Sequence, residues 1–262
     1  MCCFSGPVED VSATKIFARM VAPGRQLLAY QMDLAAAEPV AMILPIPTAR
    51  GVDEVKFIAL DGYPDLFDDL HRATTVAMLG FDRNSALPVH VVGDFVASFV
   101  PSLAHFGLLD PRFRLPPNTV ERVPGYGDFG FVVFQLHAMR SRAHPMAFEF
   151  STRAPDQLFF PLLHVHDGEL HPDAHFDHSL YAQGVAPARP WSFEELPLKH
   201  SMRHPLARLV VDLDAGVLSR RIAGTWPNHD LWVAHHPAPD DLDNFYNPPP
   251  ENREFDDESP TF

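Results

Sequence analysis

The sequence predicts a β-rich α+β fold: mostly antiparallel sheets, few helices and long proline-rich connections. Three observations predict it. Short apolar or β-branched runs recur along the chain between turn-forming residues. Helical spacing is scarce and does not alternate with those runs, which disfavours a doubly wound parallel sheet. Finally, 27 prolines punctuate 262 residues at short intervals.

Taken in order, the first strand is expected over Arg25 to Asp33 (RQLLAYQMD) and the second over Ala41 to Ile46 (AMILPI), ending against Pro47. Val55 to Leu60 is a shorter apolar run. The clearest helix lies in Tyr63 to Leu79, where Pro64 suits a first helical position, Leu66, Phe67 and Leu70 share one face, and Gly80 supplies a stop. Val89 to Val100 reads as a long β-branched strand with a bend at Gly93. Gly130 to His137, Met146 to Phe150 and Leu158 to His166 follow, with late strands at Leu209 to Leu213 and Leu231 to His235. Ser192 to Leu196 and Pro205 to Leu209 read as single turns. There is no internal repeat. Residues 1–236 read as one β-rich domain, and the weakly patterned stretch 102–127 is either a subdomain boundary or a long ordered loop.

The formal charge is -14. From Pro237 to Phe262 there are eight acids against the single base Arg253, which is -7, and six prolines. Such a segment buries too little to offset chain entropy, so 237–262 is expected to be an acidic disordered tail. The remaining -7 and the lack of a basic patch argue against nucleic acid as a partner. No apolar run reaches the ~18 residues a membrane helix needs, and the first seven residues lack a secretory pattern. A cytoplasmic protein with an unknown small-molecule or peptide substrate is the expectation.

Fifteen histidines are many, and five fall in one short stretch: His164, His166, His171, His175 and His178. On a strand, His164 and His166 share a face because side chains alternate with period two. Asp167-Gly168 makes a turn. The second group either opens a helix at Pro172, which would align His171, His175 and His178, or folds back as a loop. Imidazoles so gathered suit zinc or copper, and Asp173 and Asp177 could orient them. The same histidines could instead be loop decoration or structural. His200, His204, His235 and His236 are candidates for a fourth ligand. The leading expectation is a transition-metal-binding protein; if it is an enzyme, the metal would serve hydrolysis or redox chemistry.

Cys2 and Cys3 are the only cysteines, and their adjacency excludes a disulfide-stapled scaffold. After loss of Met1, Cys2 could act as a nucleophile with its own amine as base. Either thiol could instead join the metal, or both could be small hydrophobes opening a strand. Cys2, the segment Phe17-Ala18-Arg19 and the run after it resemble the opening of N-terminal-nucleophile hydrolases of the bile-salt hydrolase type. That resemblance implies an amide hydrolase with Cys2 as nucleophile and Arg19 assisting. The aspartate that family carries after the arginine is replaced here by Met20 and Val21.

As a whole, the start MCCFS, AMILPIPT (41–48), VASFVPS (96–102), GYGDFGFVVFQL (125–136), HPMAFEF (144–150) and FFPLLHVHDGE (159–169) resemble an uncharacterised family of bacterial proteins. The ILPIP element is similar to domains labelled only as unknown function 2330. Neither implies an activity. No nucleophile elbow or phosphate loop is present, and Gly125 to Gly130 spells GxGxxG ahead of a strand, where it reads as a turn. A non-enzymatic interaction protein with a histidine-rich loop and an acidic tail is the third expectation.

Overall fold

The computed structural model describes residues 2–49, 51–52, 54–75, 95–115, 125–165, 170–185, 190–194 and 196–234, with only the backbone of Cys2. Among them the chain is β-rich α+β. The strands are β1 (Cys2–Phe4), β2 (Asp10–Ala22), β3 (Arg25–Ala36), β4 (Val40–Ile46), β5 (Lys56–Ile58), β6 (Val96–Val100), β7 (Gly130–Leu136), β8 (Met139–Arg142), β9 (Met146–Ser151), β10 (Gln157–Phe160), β11 (His164–Val165), β12 (Asp173–Gln183), β13 (Ser192–Glu194), β14 (Val217–Pro227) and β15 (Leu231–Ala234). One α-helix, α1 (Leu66–Thr75), joins them. A five-stranded sheet runs β11-β1-β4-β7-β6, and an eight-stranded sheet runs β13-β14-β12-β2-β3-β9-β5 with β8 also on β3. β10 and β15 form a separate ribbon. Pairing is antiparallel except for β1 with β11 and β12 with β2.

Period-two alternation sorts the side chains into three apolar clusters. Ile16 and Ala18 of β2, Leu28 and Tyr30 of β3, Met42 and Leu44 of β4, and Val132 and Phe134 of β7 meet in the core between the sheets. The intervening Phe17, Leu27 and Ala29 face outward from the large sheet and are covered by α1 and by residues of 198–213. Ala41, Ile43, Phe131 and Val133 face outward from the smaller sheet and pack with Phe113 and Tyr126. Central strands covered on both faces need no polar positions, which is why RQLLAYQM, AMILPI and GFVVFQL are nearly continuous apolar runs. α1 presents Leu66, Phe67, Leu70 and Ala73 to the outer layer. Gln26 ties the ribbon to β3, donating to the Phe159 carbonyl (2.7 Å) and accepting from the Phe159 amide (3.0 Å). Gly130 opens β7 where a Cβ would lie 2.7 Å from the Phe99 ring, so a larger residue there would force that ring to move.

Several expectations need correcting. Leu209 to Leu213 is not a strand: Pro205–Leu209 is a 3-10 turn, and Val210 and Val211 pack beneath it into the outer cluster. Ser192–Glu194 is a short edge strand rather than a turn. The run Leu158 to His166 breaks at Pro161 into β10 and β11. The stretch 102–115 holds two 3-10 turns, Leu103–Leu108 and Pro111–Phe113. Strands β2, β8, β12 and β14 fall outside the runs that the sequence pattern predicts as strands. The expected tail (237–262), the bend at Gly93, the helix stop at Gly80, and His166, His235 and His236 lie outside the described residues.

Candidate functional site

Two of the five clustered histidines come together. His164 opens β11, and its neighbour Val165 packs into the outer cluster, so His164 turns toward the large sheet. On β12, Phe176, Leu180 and Ala182 face the inter-sheet core, and His178 shares their face and is buried. The result is a pair across the sheets: His164 Nε2 lies 3.2 Å from His178 Nε2. The Phe176 ring stacks on His164 at 4.5 Å between centroids. The Asp177 amide donates to His178 Nδ1 at 3.2 Å. This assigns the His178 proton to Nε2 and makes His164 Nε2 its acceptor.

His171 and His175 do not join this pair. The segment 171–178 is neither the helix nor the folded-back loop that its spacing allows: from Asp173 it is strand β12, where residues three apart lie on opposite faces. His175 is therefore exposed, and His171 precedes the strand on the surface. Asp177, also on the outer face, accepts from the Ala13 amide (3.1 Å) and pairs with Arg221. It thereby holds the β2 bulge at which Ala13 adopts a left-handed φ of 49°. Of the other candidates, His204 stacks on Tyr63 and accepts from the Leu206 amide, and His200 is exposed.

The pair sits on a frame that the sequence reading missed. Asn228 accepts from the His164 amide (2.7 Å) and donates to the carbonyls of His164 (2.9 Å) and His171 (3.0 Å). Asp230 accepts from the amides of Leu162 (2.7 Å) and Leu163 (2.8 Å) and from the Tyr126 hydroxyl. Burial, with the neighbouring Asp230 charge, holds the Tyr126 hydroxyl well above its ordinary value, so it remains a donor. Two side chains of the 227–231 turn thus fix three consecutive residues leading into β11. The only available signal was an Asn and an Asp two apart after a proline, a pattern that reads as an ordinary turn.

Cys2 pairs with His164 across β1 and β11, while Cys3 is fully buried in the outer cluster with Val165. Arg19 belongs to the other sheet, where its Nε donates to the Val210 carbonyl at 2.6 Å. Burial lowers the Arg19 pKa against the opposing charges of Asp212 and Glu149. Among the described residues no three His, Cys, Asp or Glu side chains are grouped to hold a metal, and no helix is long and apolar enough to cross a membrane.

The fold and this corner define a class: a two-sheet β scaffold whose N-terminal strand is threaded inside the smaller sheet. No family model matches the chain. Among solved structures it is similar to baculovirus P35, with TM-score 0.55 and 12% identity over 87% of this chain and 97% of that one. It is also similar to a chain of the caspase-8/P35 complex, with TM-score 0.50 and 13% identity over 85% and 96%. At these identities the likeness is one of fold.

Proposed function

We propose that this chain is a non-enzymatic protein-binding scaffold whose partner is a caspase. One observation carries the reading: the likeness to P35 spans nearly the whole of both chains, and one similar chain comes from a complex with caspase-8. The interaction-protein reading of the sequence agrees with it. So does the use of polar groups as internal braces, Arg19 on a carbonyl and Asp230 on two amides.

The test is complex formation. The full chain is mixed with active caspase-8 and passed over a sizing column, and the recovered chain is weighed by mass spectrometry. Co-elution is expected, with any cut located along the chain by the fragment masses. A panel of active caspases that all elute separately from an intact chain would contradict the reading.

A further inference from the structure

We infer that His164 and His178 form an acid-sensitive latch between the N-terminal strand layer and the large sheet. The two rings, one from β11 and one from β12, meet through Nε2 atoms 3.2 Å apart. Only one neutral arrangement satisfies their contacts. His178 Nδ1 accepts from the Asp177 amide, so the His178 proton sits on Nε2 and is given to His164 Nε2. The neutral His164 ring then carries its own proton on Nδ1. A further proton has two places to go, and both are engaged. On His164 Nε2 it sets N–H against N–H between the sheets. If His178 moves its proton to Nδ1 to make room, N–H meets N–H at the Asp177 amide instead. Either way a hydrogen bond is lost and a charge appears at the buried His178 ring. With two imidazoles, and an amide donor at His178 Nδ1, the pair handles a proton and not a metal ion.

The groups around the pair favour its neutral state. Opposite His178 in register stand Thr14 of β2 and Ile222 of β14, neither of them ionisable. Phe176 and Leu180 share its face of β12. Arg220 of β14, opposite Leu180, brings a second cation to that face. Asp177 pairs with Arg221 on the outer face. In the adjoining turn, Asp230 already holds two amides and the Tyr126 hydroxyl, and His229 Nδ1 lies 2.9 Å from the Asp230 carbonyl. Cys2 stands across from His164 in the β1 register, and His171 is on the surface. An ordinary imidazole titrates near pH 6.5. Below that pH the unfolded chain takes up protons that the folded pair refuses. The latch therefore contributes its full stability above about pH 6.5 and loses it as pH falls. The edge is what yields, because β11 is a two-residue edge strand held by β1.

The experiment follows amide hydrogen exchange of the full chain at about pH 7.5 and about pH 5.5, each rate divided by its intrinsic chemical rate. Protection of residues 2–4 and 162–165 should fall about tenfold or more at the lower pH, while β7 keeps its protection. In His178→Gln the carboxamide can turn either its NH2 or its oxygen to His164 and does not titrate, so this variant should lose the acid response of the corner. His175→Gln, on the outer face of β12, should keep it. Ring signals of the parent, followed by NMR, give a second reading that needs no variant. The rings of the pair should stay neutral at a pH where a free imidazole is mostly charged, and should charge only as the corner opens. An equal acid response in the parent and in folded His178→Gln would overturn the inference. So would a corner equally protected at both pH values, or a ring of the pair that charges while the corner stays protected.

Discussion

The middle of the inter-sheet core and its histidine corner are built by the same rule and hold together by different forces. In the middle, inward positions of β3, β4, β7 and β9 carry Tyr30, Met42, Phe134 and Phe148, and the sheets adhere by burying apolar surface. At the corner, the inward position of β12 carries His178, the facing position of β11 carries His164, and Asn228 and Asp230 bond the backbone around them. The alternation is identical. What changes is that the corner depends on direction: each bond there has a donor, an acceptor and a length, whereas the apolar middle needs only volume. A surface meant to be fixed in one geometry is better made the second way, and the N-terminal strand β1 runs along that corner.

The largest loss of stability is expected in the apolar middle. Phe134 meets Phe57, Phe95 and Phe148 edge-on or tilted, so Phe134→Ala should cost about 4 kcal/mol of unfolding free energy and move the denaturant midpoint with little change in slope. A loss under 1 kcal/mol would mean that the middle is not the adhesive region. At the polar corner, Asp230→Ala leaves two amides and a buried hydroxyl without their acceptor, and about 3 kcal/mol should be lost. Hydrogen exchange should then rise at Leu162 and Leu163 while β4 and β7 stay protected. Uniform exchange through both regions would erase the distinction drawn here.

A smaller effect lies outside both regions, at Asp68. Burial pushes the Asp68 carboxyl up, but Lys15 at 3.0 Å and Arg142 at 2.8 Å override it, and its pKa falls below the ordinary value. A carboxylate depressed in the folded state adds stability above its unfolded pKa, near 4, and that increment disappears as pH falls through the folded value. Asp68→Asn should therefore cost roughly 0.5 kcal/mol at pH 7, with the gap to the parent closing below about pH 4. A gap that widens in acid would show the opposite sign and contradict the assignment.

How far the sequence could be read follows from the same alternation. Strands β3, β4, β7 and β9 were legible because both their faces are covered, so their apolar runs are continuous. β2 was not, because Lys15 and Arg19 sit among its buried residues, held by Asp68 and the Val210 carbonyl. β14 was hidden because the polar run Ser219, Arg220 and Arg221 interrupts both of its faces, and its C-terminal half is mostly exposed. In β12 the histidines fall at helical spacing, which outweighed the period-two signal of Phe176, His178, Leu180 and Ala182. For the site, His164 and His178 were both candidates, but their pairing comes from the way the two sheets face each other. That sheet order, with β1 inserted beside β11 and β12 laid parallel to β2, is a long-range property no local pattern encodes.

Calorimetric titration of the full chain into active caspase-8 tests the proposed binding of a caspase. Saturable heat of association is the expected result. No heat of binding at tenfold excess of the chain, repeated across other caspases, would contradict it.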